Sequence, residues 1–130
     1  MGLPGAGKTY LANMLQKELH ERGFVVEWFN ADEVRERFND WDFSKDGRIR
    51  QSLRMFQLAF ECNGDYVICD FVAPLPEMRH NFKADWTIWM DTIDKGRFED
   101  TNKAFVQPDK YDIRIQSHSP DNVKKIVDKL

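Results

Sequence analysis

The chain has 130 residues with a formal net charge of −3, and 42% of them are hydrophobic while 32% are charged. This length predicts one domain over residues 1–130 with a single core, and no apolar run reaches the ~18 residues that a membrane span needs. The lack of a basic excess disfavours nucleic acid as a partner.

The first predicted feature along the chain is a phosphate-binding loop. It fits the pattern G-x-x-x-x-G-K-[ST] at every fixed position and consists of Gly2, Leu3, Pro4, Gly5, Ala6, Gly7, Lys8 and Thr9. In such a loop the backbone N–H groups cradle a polyphosphate, the Lys8 ammonium reaches the β- and γ-phosphates, and the Thr9 hydroxyl ligates Mg²⁺. The motif therefore predicts nucleoside triphosphate binding, with ATP and Mg²⁺ as cofactors.

Helices and strands then alternate. Periodicity and stop signals predict helices over 9–22, 31–38 and 44–63, a short helix within 74–82, and a last helix beginning at Ser119-Pro120. Apolar runs predict strands over 24–29, 66–71, 86–90 and 111–115, of which 66–71 is typical of a fully buried parallel strand. Residues 91–108 form a polar connection. The alternation predicts a three-layer α/β fold of the P-loop NTPase type with a mainly parallel sheet.

One strand is missing from this pattern. A P-loop normally follows a buried central strand, and only Met1 precedes Gly2. We expect that this strand lies upstream of Met1, so that residues 1–130 alone carry a slot in the sheet; the alternative is a chain that folds without this strand. With a P-loop at this position we expect no signal peptide, and since Cys62 and Cys69 lack metal or redox spacing, we expect reduced core cysteines in a cytoplasmic protein.

An acidic residue lies near the end of the predicted strand over 66–71. Asp70 stands where the Walker-B acid of a P-loop protein holds Mg²⁺, directly or through water. Its alternative role is that of a polar residue in the turn after the strand. We expect the functional role, which makes Asp70 a metal ligand and, with Lys8, a catalytic residue.

Three further segments resemble one family of small-molecule kinases. They read Asn30-Ala31-Asp32-Glu33-Val34-Arg35, then Asp42-Phe43-Ser44 with Gly47-Arg48-Ile49-Arg50-Gln51, and then Ile68-Cys69-Asp70-Phe71-Val72-Ala73-Pro74. With the P-loop they resemble, in order over about the first 80 residues, the adenylylsulfate (APS) kinases. That family transfers the γ-phosphate of ATP to the 3′-hydroxyl of APS and gives PAPS in sulfate assimilation. A guanosine triphosphatase is disfavoured, because Asn102-Lys103 lacks the Asp of N-K-x-D.

The resemblance implies roles for individual residues. Asp32 matches an acid near the Mg²⁺ and the accepting hydroxyl, and would act as ligand and catalytic group. Arg35 and Arg48 match arginines that hold the phosphosulfate, and Phe43 matches the ring that stacks on the substrate adenine. The remaining substrate contacts implied are Gln51, Phe71, Lys103 and Phe105, the last two as a lid lysine and a second stacking ring. A homodimer is implied as well.

The chain also departs from the family pattern. Asn30 replaces the first acid of D-G-D, Gln51 replaces an asparagine, and the lid of residues 97–105 is shorter. We expect Asp70 to replace the acidity lost at Asn30. Arg54 and Arg79 are further candidates for the acceptor site. Two alternatives stay open: a kinase of another small acceptor (a nucleotide, a sugar acid or a polynucleotide end), and a nucleotide-binding module without catalysis.

Overall fold

Helices and strands alternate along residues 1–130, all of which the computed structural model describes. The elements are α1 (Lys8–Glu21), β1 (Val26–Asn30), α2 (Ala31–Phe38), α3 (Lys45–Phe60), β2 (Tyr66–Asp70), α4 (Pro76–Phe82), β3 (Ile88–Met90), α5 (Glu99–Ala104), β4 (Ile113–Ile115) and α6 (Asn122–Val127). None of the helices combines the length and the apolar character of a membrane span.

The strands form two parallel pairs with a gap between them. β1 pairs with β2 so that Asn30 stands opposite Asp70, and β3 pairs with β4. Met1 and Gly2 link the pairs across the gap. The Met1 amino group donates to the Ile88 carbonyl at 2.8 Å and its carbonyl accepts from the Met90 N–H at 2.8 Å, while the Gly2 N–H donates to the Val72 carbonyl after β2 at 3.4 Å. The slot that the sequence predicted is present, with a volume of about 630 Å³.

Two apolar clusters lie on opposite faces of the strands. One contains Leu15 and Leu19 of α1 together with Ile126 of α6. The other contains Met55 of α3 and Met78 of α4. Helices therefore cover both faces of a parallel sheet, and the predicted three-layer α/β architecture is confirmed.

Side-chain caps explain why the two helices nearest to the predicted site begin where they do. The Asn30 side chain accepts from the N–H groups of Asp32 and Glu33 and starts α2, and the Ser44 side chain accepts from the Gly47 N–H and starts α3. Asn39 ends α2 in the left-handed conformation, with φ of 49°. These caps place the residues after β1 in a fixed relation to the strand end.

Several sequence predictions need correction. Residues 66–69 of β2 are only partly buried, because one edge of the strand faces the slot. Both cysteines are free thiols: Cys69 is partly buried against the second apolar cluster, as expected, whereas Cys62 is half-buried outside the two clusters. The segment 91–108 contains α5, which its polar sequence did not predict. The last helix begins at Asn122, since the Ser119 carbonyl accepts the Asn122 N–H in a turn that precedes it.

Candidate functional site

The P-loop runs from the slot to the first turn of α1. Gly7 precedes that helix with φ of 95°, and a Cβ there would lie 2.6 Å from a ring carbon of His118, so the position requires glycine. The Lys8 Nζ donates to the Leu3 carbonyl at 2.9 Å, and the loop thus closes around its own lysine. Burial lowers the pKa of Lys8, while the charges of Asp70 and Asp32 oppose that shift.

The first turn of α1 meets the ends of β1 and β2 in a three-residue cluster. The Thr9 hydroxyl donates to Asp70 Oδ2 at 2.8 Å. The Asn30 amide donates to the same carboxylate oxygen at 2.9 Å and to the Thr9 hydroxyl at 3.1 Å. The parallel register of β1 and β2 creates this cluster, because it brings Asn30 level with Asp70 across the ladder.

Asn30 is a site residue whose role the sequence did not predict. Its Oδ1 accepts two N–H groups of α2, so the orientation of the amide is fixed and its Nδ2 must face Thr9 and Asp70. An asparagine between a strand and a helix was a signal for the cap alone. Its second set of bonds depends on Asp70, a residue 40 positions away.

The cluster offers oxygen ligands suited to Mg²⁺. Neighbouring ligands of an octahedral Mg²⁺, each at about 2.1 Å from the ion, lie about 3 Å apart. The Thr9 hydroxyl and the Asp70 carboxylate are separated by 2.8 Å. No group of three or more His, Cys, Asp or Glu side chains is placed to hold a metal. Mg²⁺ commonly completes its shell with phosphate oxygens and waters, so these residues fit it.

Asp32 lies one residue into α2, beside this cluster. Its side chain is exposed, its carboxylate accepts no hydrogen bond, and its charge acts on the pKa of Lys8. The charge of Arg97 acts there too, in the opposite sense. Arg97 is therefore a second residue that the sequence did not single out, since only the folding back of the polar connection brings it near the loop.

Two buried arginines flank one aromatic ring on the acceptor side. The guanidinium carbons of Arg35 and Arg48 lie 4.4 and 5.5 Å from the centre of the Phe43 ring, which is 47% exposed. Arg35 donates to the carbonyls of Asp40 and Asp42, and Arg48 donates to the Phe43 carbonyl at 2.8 Å. The predicted trio is thus brought together, with the arginines also holding the loop that carries the ring.

Two other residues predicted to contact the substrate, Gln51 and Phe71, have buried side chains. Gln51 is buried, with its amide group donating to the Ala31 carbonyl and its oxygen accepting from Arg54. Phe71 is packed in the core against Phe82, with ring centres 5.2 Å apart, and only 8% of it is exposed. The prediction of Phe71 as a substrate contact is therefore not supported, because its side chain belongs to the face of the sheet that α3 and α4 cover.

The short lid lies over the same end of the sheet. Lys103 is exposed on α5, and Phe105 follows that helix with the Arg79 guanidinium 5.4 Å from its ring centre. Arg79 is fixed by the carbonyls of Ala73, Pro74 and Val106, and burial lowers its pKa to about 10. A hydrogen bond of 3.1 Å from Arg48 to the Thr101 hydroxyl ties α5 to α3.

Comparison of the sequence with known proteins gives one family. Residues 1–93 match the family described as adenylylsulphate kinase. An adenylyl-sulfate kinase of Bacillus pumilus is 33% identical over 111 residues, which cover 83% of this chain and 51% of that protein. One of Pseudomonas entomophila is 37% identical over 82 residues, which cover 61% of this chain and 39% of that protein.

Solved structures with this fold exist. A Mycobacterium tuberculosis APS kinase, in complex with AMPPNP and APS, superposes with a TM-score of 0.79 at 19% identity, covering 98% of this chain and 92% of that one. At this identity the likeness shows the fold alone. The chain spans about half the length, or less, of the two curated relatives.

Proposed function

Since the chain belongs to the adenylylsulphate kinase family, we propose that it transfers the γ-phosphate of ATP to the 3′-hydroxyl of adenosine 5′-phosphosulfate. The observation that supports this most is the cluster of Thr9, Asn30 and Asp70, which lies in contact with the P-loop and beside the exposed Asp32. Residues 1–130 would act as one kinase domain. A cytoplasmic location and a homodimer remain predictions from the sequence.

The P-loop is the donor side of the proposed reaction. Its backbone N–H groups and the N-terminus of α1 would hold the phosphates of ATP. On binding, the Lys8 ammonium would exchange the Leu3 carbonyl for phosphate oxygens and neutralise charge that develops in transfer. Mg²⁺ would be held by Thr9 and Asp70, with Asp32 at the same end of the sheet. The ion would supply further charge neutralisation.

The acceptor side would be built from Asp32, Arg35, Phe43 and Arg48. A guanidinium group binds phosphate or sulfate oxygens through paired N–H donors, and an exposed aromatic ring stacks on a base. The Asp32 carboxylate, which accepts no hydrogen bond in the structure, would orient the accepting hydroxyl or take its proton. Lys103 and Phe105, on the lid, would complete the pocket.

The direct test is acceptor-dependent release of ADP in a coupled assay with Mg²⁺ and ATP. We expect APS to be preferred over a panel of nucleotides, sugar acids and polynucleotide ends. Lys8→Ala should lower turnover by about 10²-fold or more, because it removes charge stabilisation at the transferred group. As a control, we expect this variant to fold almost normally, because the Lys8 side chain makes a single hydrogen bond, to the Leu3 carbonyl. Retained turnover in this variant would contradict the proposal.

A second candidate is a kinase of the same kind that acts on another small anionic acceptor. One observation favours it: Arg35 and Arg48 already donate to backbone carbonyls, so the number of N–H groups left for a phosphosulfate is reduced. The same acceptor panel separates the two candidates. Binding of ATP without ADP release for any acceptor would instead favour a module without catalysis.

A further inference from the structure

The segment that follows β3 lies against the P-loop. The Thr92 hydroxyl donates to the Ala6 carbonyl at 2.8 Å. Further along the segment, Gly96 lies so close to Pro4 that a Cβ on the glycine would stand 3.0 Å from the Pro4 carbonyl oxygen and 3.3 Å from its Cδ atom. The P-loop is therefore in contact with the chain that leads into the lid, and Gly96 is the last point of that contact before α5.

One side chain of the lid fastens Gly96 in this place. The Oδ1 atom of Asn102 accepts from the Gly96 N–H at 2.8 Å, and its Nδ2 group donates to the Gly96 carbonyl at 2.9 Å. The orientation of this amide is defined, because the reversed orientation would place donor against donor and acceptor against acceptor. Both backbone polar groups of Gly96 are thus held by a residue of α5.

The residue after Gly96 is a cation beside the P-loop lysine. The guanidinium group of Arg97 is exposed and forms no ion pair. Burial lowers the pKa of Lys8, and the positive charge of Arg97 lowers it further. Two positive charges near the same loop favour the binding of a polyphosphate. Because Arg97 follows Gly96 directly, whatever holds Gly96 also decides where this second charge stands.

Two adjacent residues of α5 connect the lid in two directions. The Thr101 hydroxyl accepts from Arg48 of α3, on the proposed acceptor side, and Asn102 bonds to the segment that lies on the P-loop. The short lid is therefore tied to both sides of the cleft by side-chain hydrogen bonds.

A purely local role for Asn102 makes a different prediction from a role at the P-loop. Asn102 and Gly96 are six positions apart, so their bonds also close the turn before α5. If this closure were the whole role, loss of the side chain would loosen that turn alone. The close approach of Gly96 to Pro4 instead predicts that the effect reaches the P-loop.

We propose that Asn102 is a positioning residue for the donor side: by holding Gly96 against Pro4, it fixes the lid to the P-loop and keeps Arg97 beside Lys8. It acts through Gly96 rather than through a contact with a substrate. Its effect on nucleotide binding rests on the proposed function, whereas the link from Asn102 to the P-loop is a property of the protein without ligand.

The test compares variants of the full chain. Asn102→Ala removes both hydrogen bonds to Gly96. Gly96→Ala leaves the asparagine in place and introduces a Cβ that must move away from Pro4. The double variant combines the two changes. Asn63→Ala is the matched control, because it makes the same chemical change at an exposed position whose side chain forms no hydrogen bond. Thermal unfolding checks that each variant is folded.

The first measurement is amide hydrogen exchange in the protein without ligand. Two N–H groups report: that of residue 96, and that of Ala6, which donates to the Leu3 carbonyl at 3.1 Å within the P-loop. In Asn102→Ala, exchange at Gly96 should rise about tenfold or more, because two hydrogen bonds are lost. Exchange at Ala6 should rise as well, by a smaller factor. Gly96→Ala should raise exchange at Ala6, and the Asn63 control should change neither N–H group.

The second measurement is the Kd of ATP with Mg²⁺, by calorimetry and without an acceptor. Asn102→Ala should raise this Kd about fivefold or more, the range of a typical coupling between sites. The double variant should bind no more weakly than the weaker single variant, because both substitutions break the same link.

Two results would overturn the proposal. Faster exchange at Gly96 with unchanged exchange at Ala6 would restrict Asn102 to the turn before α5. Additive effects in the double variant would show that Asn102 does not act through Gly96. If the parent protein bound no ATP, the proposed function would fail together with the role at the donor side, while exchange at Ala6 would still decide whether Asn102 is linked to the P-loop.

Discussion

Asn30→Asp tests the energetic role of the contact between Asn30 and Asp70. Aspartate caps a helix about as well as asparagine, so α2 should keep its start. The substitution replaces the Nδ2 donor, now 2.9 Å from the Asp70 carboxylate, with a second carboxylate oxygen. Two hydrogen bonds are lost, to Asp70 and to Thr9, and a like-charge pair is created in their place.

The size of the effect follows from the distance and the burial. Two unit charges 2.9 Å apart repel by roughly 6 kcal/mol at an effective dielectric constant of 20, and Asp70 is only 6% exposed. The penalty is capped by protonation of one carboxyl, which at pH 7 costs about 4 kcal/mol for an acid that ordinarily titrates near 3.9. We therefore expect a loss of about 2–4 kcal/mol in unfolding free energy at pH 7.

The pH and Mg²⁺ dependence distinguish this mechanism from simple loss of packing. Lowering the pH to 5 makes protonation about 2.7 kcal/mol cheaper, so the variant should approach the parent protein as the pH falls. Mg²⁺ should stabilise the variant more than the parent, because three oxygen groups then surround the ion. Urea unfolding at both pH values, with and without Mg²⁺, measures all of these effects.

Two controls accompany this measurement. Asn63→Asp adds the same charge at an exposed position and should change stability by less than ~0.5 kcal/mol. The exchange variant Asn30→Asp with Asp70→Asn restores one carboxylate and one amide, and should recover most of the loss. If Asn30→Asp unfolds like the Asn63 control at both pH values, the inferred cluster does not exist and the Mg²⁺ site built on it has no basis.

Three other predictions concern separate parts of the molecule. Asp32→Ala should lower kcat by about 10²- to 10⁴-fold in the ADP assay, and an unchanged kcat removes Asp32 from the mechanism. ATP affinity and stability, measured by calorimetry, should change little, because the exposed carboxylate makes no hydrogen bond. Arg48→Ala should lower the unfolding free energy by about 2–4 kcal/mol, because it leaves the Thr101 hydroxyl and a carbonyl without their partner, and urea unfolding with a loss below ~0.5 kcal/mol would contradict this. Burial raises the pKa of Cys69 to about 12, so the rate of its alkylation should keep rising with pH beyond 9, whereas the rate for an ordinary thiol levels off near its pKa of about 8.5. Mass spectrometry should also find that Cys62 is labelled first, and faster labelling of Cys69 at pH 8 would contradict its burial.

Local sequence patterns predicted those parts of the structure that depend on residues close together along the chain. The P-loop is contiguous, and α2 has the predicted bounds, with an asparagine at each end of the helix. The alternation of elements was enough for the three-layer fold. Each of these features is decided within a few residues along the chain.

Contacts between distant residues could not be predicted in the same way. The pairing of Asn30 with Asp70 depends on strand register, and the bond from Arg48 to Thr101 joins residues 53 positions apart. α5 was missed because its six residues are mostly polar and no side chain caps it; its buried Thr101 anchors it to α3. Phe71 was assigned to the substrate from a motif, although the motif does not say which face of the strand is covered by helices.

The position of Arg48 has a consequence for binding. One guanidinium group contacts the carbonyl of Phe43, beneath the ring proposed for the acceptor, and the hydroxyl of Thr101, within the lid proposed to complete the acceptor pocket. A shift of either contact must be accommodated at the other or break a hydrogen bond. Seating of the acceptor on Phe43 should therefore change the position of the lid, and any change that fixes the lid should alter the Kd of the acceptor by the same coupling free energy.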